Sequence, residues 1–172
     1  MRRPTAKLDT EGLYQKAVSL LAVRGRSEVE LRRTLGRRAV APEALEDALA
    51  RLREHGYLDD ARLAASFSVY QKDIARHGRM RTMRELRLRG VGAEVAEKAV
   101  KQAYSGSSED GLLRAHLRAK RIRPPEDVRQ AAGLCRKLLR AGFSAAACQR
   151  ALKAWKLDPE WIEELGNMEE SE

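Results

Sequence analysis

Residues 56–91, GYLDDARLAASFSVYQKDIARHGRMRTMRELRLRGV, decide how the rest of the chain is read. The stretch holds a short joint, Gly56-Tyr57-Leu58-Asp59-Asp60, then an amphipathic helix, then an arginine-rich segment closing on Gly90-Val91. Leu63, Phe67, Tyr70 and Ile74 recur at i, i+4, i+7 and i+11, which predicts one apolar helical face. Asp59 stands where an N-cap belongs, and His77-Gly78 supplies a stop. From Arg79 to Arg89, five arginines fall in eleven positions around Met80, Met83, Leu86 and Leu88. At 100° per residue Met83 and Leu86 share a side while Arg81, Arg84 and Arg89 point broadly away. A short helix with an apolar inner side and a cationic outer side is expected.

Working outward, the pattern repeats. A first helix is expected over about 11–23, with Leu13, Ala17, Leu20 and Leu21 at core spacing and Gly25 as its break. Ser27-Glu28-Val29-Glu30 has the form of a capping box ahead of Leu31 and Leu35. Pro42 opens a third helix carrying Leu45, Ala48, Leu49 and Leu52, closed by His55-Gly56. Those four positions recur 51 residues on as Ala96, Ala99, Val100 and Ala103, and 52 further as Cys148, Ala151, Leu152 and Trp155. Leu35, Leu86 and Leu138 keep the same shifts, as do the joints Ala39-Val40, Gly90-Val91 and Gly142-Phe143. Thr82 is the exception, falling where Leu31 and Leu134 stand. Fixed register at this many positions predicts tandem three-helix repeats. We expect an all-α chain of three three-helix-bundle repeats, 11–57, 58–105 and 106–157, in a curved, extended array. A flexible basic arm (1–10) precedes them and an acidic tail (158–172) comes after. The third repeat starts after Ser105-Gly106-Ser107-Ser108, with helices over about 109–122, from Val128 through Ala131, Ala132, Cys135, Leu138 and Leu139, and over 145–156.

Composition sets the chemistry. Among 172 residues, 43% are apolar and 34% charged, a mix suited to exposed helices with thin cores. The net charge of +9 conceals an asymmetry: residues 158–172 hold seven acids and no base, so residues 1–157 carry 34 bases against 18 acids. A body that basic favours polyanions such as nucleic acid, with ribosomal or acidic-protein partners as the other options. No apolar run reaches membrane-spanning length, and the first twelve residues lack the apolar core of a secretory signal. Cys135 and Cys148 lack metal-ligand spacing and read as reduced packing residues of a cytoplasmic protein.

At this point the residues resemble a known family. Gly56-Tyr57-Leu58-Asp59-Asp60-Ala61-Arg62-Leu63-Ala64 is similar to the joint that marks the RecX family of bacterial recombinase regulators. Ser27-Glu28-Val29-Glu30-Leu31, and Arg84-Glu85-Leu86 leading into Arg89-Gly90-Val91, also resemble that family's first two repeats. The likeness spans roughly residues 13–155 and is strongest through 27–100. It implies an elongated, all-helical, non-catalytic protein that binds RecA and its DNA filament. It further implies restraint of RecA's ATPase, strand-exchange and coprotease activities in DNA repair and the SOS response.

The candidate contact residues for RecA or DNA are the exposed-looking cations. They are Arg79, Arg81, Arg84, Arg87 and Arg89; Arg114, Arg118, Lys120, Arg121 and Arg123; and Arg136, Lys137 and Arg140. Guanidinium forks suit phosphate and carboxylate, although arginine is also an ordinary occupant of a solvated helix face. Arg32, Arg33, Arg37 and Arg38 are weaker candidates, having acids close enough to pair with. The third helices lack the Asn, Gln and Arg set that reads bases, and aromatics at 5% are too few for strand stacking. DNA contact is therefore expected to be weak and sequence-independent. Tyr57, Phe67 and Tyr70 are assigned to the core or the joint. Asp59-Asp60 reads as a helix cap, His55 and His77 as helix-end residues, and His116 as a mid-helix residue without a chelating partner. No phosphate loop, nucleophile elbow or zinc spacing occurs, so neither cofactor, metal nor catalysis is expected. A monomer without membrane association is expected. A stand-alone basic DNA-binding protein of nucleoid or transcriptional type is the alternative reading of the same charge. The acidic tail reads either as a solubilising extension or as a segment that folds over the basic surface.

Overall fold

The structure is a computed structural model and describes residues 7–155. The terminal part of the basic arm and the acidic tail lie outside the described residues. Nine α-helices occupy the described chain: α1 (Thr10–Val23), α2 (Glu28–Gly36), α3 (Pro42–Glu54), α4 (Asp60–Asp73), α5 (Arg79–Leu88), α6 (Ala93–Tyr104), α7 (Glu109–Ala119), α8 (Val128–Arg140) and α9 (Ala145–Ala154). None of them is long and apolar enough to cross a membrane. The fold is all-α, as the periodicity predicts.

Helix starts follow side-chain chemistry. Ser27 Oγ accepts from Glu30 N at 3.1 Å while Glu30 Oε2 accepts from Ser27 N at 3.0 Å, completing the capping box. Asp59 Oδ1 accepts from Arg62 N at 2.8 Å at the head of α4. Asp9, Ser108, Asp127 and Ser144 cap α1, α7, α8 and α9 in the same way. Pro42 stands at the first turn of α3, which has no side-chain cap.

The chain packs as two compact units. The first is built from the described residues up to Phe67 together with Glu85–Ala99; the second from Ser68–Arg84 together with the described residues from Val100 onward. Helices α4, α5 and α6 thus contribute residues to both. In the first unit Leu13 and Ala17 of α1, Leu31 and Leu35 of α2, and Leu49 and Leu52 of α3 are fully buried around one core. Each leucine so buried contributes about 1.5–3 kcal/mol of hydrophobic free energy. The second unit closes around Phe143, Leu113, Leu138 and Leu152. Cys135 and Cys148 are buried within that core.

Several expectations need correcting. Residues 7–9 are not a loose arm: Leu8 N donates to Arg38 O at 2.7 Å and Leu8 O accepts from Val40 N at 3.0 Å, and Asp9 caps α1. The inner face of α4 is not Leu63-Phe67-Tyr70-Ile74. Ala64, Ser68 and Gln71 are buried, whereas Tyr70 is 54% and Ile74 68% exposed. Ala64, Ser68 and Gln71 stand at i, i+4 and i+7, so the buried stripe runs one residue to the side of the apolar one. Met80 and Leu88 are exposed while Leu86 is fully buried, so the inner side of α5 is narrower than its apolar content suggests. The stop after α4 is Arg76 in left-handed backbone (φ 58°), with His77 N returning to Gln71 O at 2.9 Å. Arg121 (φ 51°) does the same after α7, with Ile122 N closing on Leu117 O at 3.0 Å, so that helix ends at Ala119.

Gly78 has another purpose. A Cβ there would overlap the carbonyl of Gly142, and one on Gly142 (φ 94°) would overlap the backbone of Arg81. The chain before α5 and the joint after α8 therefore touch backbone to backbone: Gly78 N donates to Ala141 O at 2.8 Å and Met80 N to Gly142 O at 3.2 Å. The first unit holds the matching contact 51 residues earlier on one side and 52 on the other. There Ser27 Oγ donates to Arg89 O, and Gly90 (φ 82°) leaves no room for a Cβ against Val29. The repeat register thus recurs in three-dimensional contacts as well as in apolar positions.

Candidate cationic interface

The five arginines of α5 do not share one fate. Arg79, Arg81 and Arg84 belong to the second unit, Arg87 and Arg89 to the first. Arg89 is a structural residue. Its Nη2 donates to Glu30 Oε2 at 3.0 Å and to Gly25 O at 2.6 Å, and its guanidinium lies 5.1 Å from the Phe67 ring centroid. The Arg89 and Glu30 side chains are 17% and 18% exposed. Burial alone would raise the Glu30 pKa, but hydrogen bonds from Arg89, the Ser27 backbone and Arg24 outweigh it and hold the carboxyl below its ordinary value. Arg87 is exposed and reaches Glu97 at 3.4 Å.

Elsewhere in the first unit Arg32, Arg51 and Arg53 are also matched. Arg32 bridges Glu28 and Glu46, Arg53 reaches Glu28 at 2.9 Å, and Arg51 reaches Glu11 at 2.9 Å. Glu28 resembles Glu30: burial pushes its pKa up, and the Arg32 and Arg53 hydrogen bonds more than reverse this. Asp60 adds a role that its place beside the α4 cap does not reveal. Its Oδ1 accepts from Glu28 N at 3.0 Å and so caps α2 as well. Burial, with Glu28 and Asp59 nearby, raises its pKa despite that hydrogen bond.

The second unit is different. Residues 111–155 contain eleven bases and two acids. Arg84 Nη2 donates to Arg140 O at 3.4 Å, which brings the start of α5 beside the end of α8. Exposed Arg79 and Arg84 thereby join exposed Arg136, Lys137 and Arg140; Arg140 Nε returns to Arg136 O at 3.1 Å. Arg118, Lys120, Arg121 and Arg123 are exposed at the end of α7, and Arg114 one turn earlier. Among the described residues Arg79, Arg114, Arg118, Lys120, Arg121, Arg123, Arg136 and Lys137 form no ion pair. Arg81 is half-buried. The chemistry of such a surface suits dispersed negative charge, phosphate or carboxylate, without a fixed geometry for one ligand.

His116 sits beneath these cations. It is buried, its ring meets Phe143 edge-on at 5.4 Å, and its Nδ1 donates to Arg76 O at 2.7 Å. Burial lowers its pKa most, and the nearby Lys120 and Arg81 lower it further against the pull of the Arg76 carbonyl. The ring is therefore a neutral packing group at pH 7. Thr82, the exception to the apolar register, is fully buried with Oγ1 2.7 Å from Tyr104 OH. Tyr104 OH donates to His77 O at 2.9 Å and Thr82 Oγ1 to Gly78 O at 3.3 Å, so the two hydroxyls and two carbonyls form one network.

Comparison with known proteins agrees with this architecture. Residues 14–52 match the family described as the RecX first three-helix domain, and residues 59–100 match its second three-helix domain. A regulatory protein RecX of Pseudomonas fluorescens is 34% identical over 155 residues, covering 90% of this chain and 99% of the relative. One from Geobacillus thermodenitrificans is 33% identical over 133 residues, covering 76% of this chain and 49% of the relative. Among solved structures, a regulatory protein RecX superposes with a TM-score of 0.70 at 21% identity, covering 84% of this chain and 73% of that one. RecX from Lactobacillus salivarius gives 0.56 at 17% identity, covering 93% and 96%.

Proposed function

The chain belongs to the RecX family of regulatory proteins, and from that premise we propose that it restrains a RecA-type recombinase by contacting the DNA-bound filament. The observation that carries the reading is the cationic surface of the second unit, on which exposed Arg79, Arg114, Arg118, Lys120, Arg121, Arg123, Arg136 and Lys137 form no ion pair among the described residues. Contact through those cations is electrostatic, sequence-independent on DNA and weakened by salt. The protein acts by binding rather than by catalysis, as a monomer in the cytoplasm. It lowers the filament's ATPase, strand-exchange and coprotease activities. We further propose that α7–α9 form a third repeat equivalent to the two family domains, because the Gly90 and Gly142 joints share register and left-handed backbone.

The test is the recombinase's DNA-dependent ATPase with this protein added far below one copy per recombinase monomer. Inhibition at that ratio supports filament regulation. Inhibition only when enough protein is present to coat the DNA would support the stand-alone DNA-binding reading instead.

A further inference from the structure

The head of α5 stands beside a cavity of about 270 Å³ within the second unit. Arg79 and Met80 line it from α5, Tyr104 and Ser107 from the end of α6 and its joint to α7, Leu112 from α7, and Phe143 from the joint after α8. Phe143 and Tyr104 are buried, whereas Arg79, Met80 and Ser107 are exposed, so the cavity opens to solvent past those three. The repeat register shows how this differs from the first unit. Shifting Glu28 and Arg53 by 51 residues gives Arg79 and Tyr104. In the first unit those positions hold an ion pair at 2.9 Å, and Asp60, the first residue of α4, accepts from Glu28 N. An arginine and a tyrosine cannot form that pair. Glu109, the first residue of α7, turns to Ser144 instead, accepting from its N at 2.7 Å and from its Oγ at 2.8 Å. Where the first unit has a charged cluster, the second has an apolar cleft with one cation at its mouth.

We propose that this pocket receives one large apolar side chain from an acidic segment of a partner protein, with Arg79 pairing with a carboxylate beside that side chain. This rests on the filament reading above and assigns the head of α5 to the recombinase rather than to its DNA. Size, chemistry and charge each support it. Small-molecule sites run to about 300–1,000 Å³, so this cavity is on the scale of a single side chain. Its inner polar groups are already bonded: Tyr104 OH to the His77 carbonyl and Thr82, and Ser144 Oγ to Glu109. A nucleobase seated here would strip water from its hydrogen-bonding edges without gaining partners, a cost that an apolar side chain does not meet. Arg79 forms no ion pair among the described residues. Residues 79–84 hold three arginines and no acid, and Glu109, the acid in the lining, is bonded through both oxygens to Ser144. The field at the mouth therefore favours a segment that carries carboxylates. An apolar anchor in a pocket, with charges on the rim, is the usual anatomy of a protein contact.

The experiment uses the full chain and three variants at exposed positions: M80S and S107W, which change no charge, and R79Q. Binding is measured to a recombinase filament on single-stranded DNA and to the same DNA bare. S107W blocks the mouth and should weaken filament binding at least about tenfold; M80S removes apolar wall and should weaken it several-fold. Both losses should persist as salt rises, with helicity and bare-DNA affinity unchanged. R79Q should weaken filament binding at low salt, and its loss should shrink as salt rises. Filament binding left intact by M80S and S107W, in a chain that prefers filament to bare DNA, overturns the pocket assignment and leaves the filament reading standing. An unaltered chain that binds filament no better than bare DNA removes that reading and the pocket assignment with it. Equal weakening toward filament and bare DNA gives the pocket to a nucleobase and overturns the assignment to protein. In the free chain a carbon-13 label on the Met80 methyl should broaden readily with a soluble paramagnetic agent. Shielding there means that the chain or a second copy already fills the pocket, with the same consequence.

Discussion

Replacing Arg89 by alanine separates the two roles that arginine plays in this chain. Arg89 ties α5 to the loop before α2 through Glu30 and the Gly25 carbonyl, with Phe67 beneath the guanidinium. Breaking a fully buried ion pair costs about 3–5 kcal/mol, and exposed pairs about 0–1. Both side chains here are nearly but not wholly covered, at 17% and 18% exposure. Glu30 also keeps Arg24 and the Ser27 backbone as partners after the change. The lost charge-assisted bond to Gly25 O and the cation–π contact each add on the order of 1 kcal/mol. The expected net loss for R89A is therefore about 2–4 kcal/mol, confined to the first unit.

Urea denaturation followed by circular dichroism, with hydrogen exchange read on α1–α3, measures that loss. A double-mutant cycle with E30A should give a coupling of at least about 1 kcal/mol, since the partners share one network. R89K should recover little, because a lysine cannot reach carboxylate and carbonyl together as a fork does. In parallel, the salt dependence of DNA binding by folded R89A should match that of the unaltered chain. Unchanged stability together with a shallower salt slope would refute the reasoning and return Arg89 to the contact surface.

The converse holds for the exposed cations of the second unit: R79E/R84E/R140E should leave helicity intact and weaken filament and DNA binding. The slope of log affinity against log salt should become shallower by up to about 0.9 per lost phosphate contact on duplex DNA, or about 0.7 on single strands. Y104F should cost about 1–3 kcal/mol by removing the buried hydroxyl that joins the His77 carbonyl to Thr82, and T82V about 1 kcal/mol, both read from urea midpoints. For pH, His116 has a folded pKa below its ordinary 6.5, so the unfolded chain binds the proton first and stability falls as pH drops through and below 6.5. Glu28 and Glu30, held below their ordinary 4.5, contribute stability above that pH and lose it as pH falls through their folded values. Hydrogen exchange should accordingly show the second unit loosening at milder acidity than the first, and H116Q should flatten the upper part of that profile.

Much of the fold was legible because its signals are local. Ser27-x-x-Glu30, Asp59 and the Pro42 start each concern atoms within one turn, and all three stand as read. The phase of α4 was not legible. Ala64, Ser68 and Gln71 are as periodic as Leu63, Phe67 and Tyr70, and a search for apolar residues alone selects the wrong stripe. Counting acids within α5 could not place Arg89 either, since its partner Glu30 lies 59 residues away in sequence. The Thr82 irregularity was the one usable long-range signal. A hydroxyl in a core register must find a partner, and Tyr104 OH and the Gly78 carbonyl supply it.

The register also shows how one kind of joint is held in two ways. Shifting Glu30 by 51 residues gives Arg81, and shifting Arg89 by 52 gives Ala141, so the second unit cannot form the ion pair that locks the first. The loop carbonyl that receives Arg89 in the first unit, Gly25 O, corresponds to Arg76 O, which receives His116 instead. Backbone hydrogen bonds at Ala141 and Gly142 take over the remaining attachment. One consequence is electrostatic: a carboxylate that would neutralise part of the surface is replaced by a guanidinium, and its arginine partner by a methyl group. The first joint gains strength from charge and is sensitive to salt and strong acid. The second rests on backbone contact and a neutral histidine.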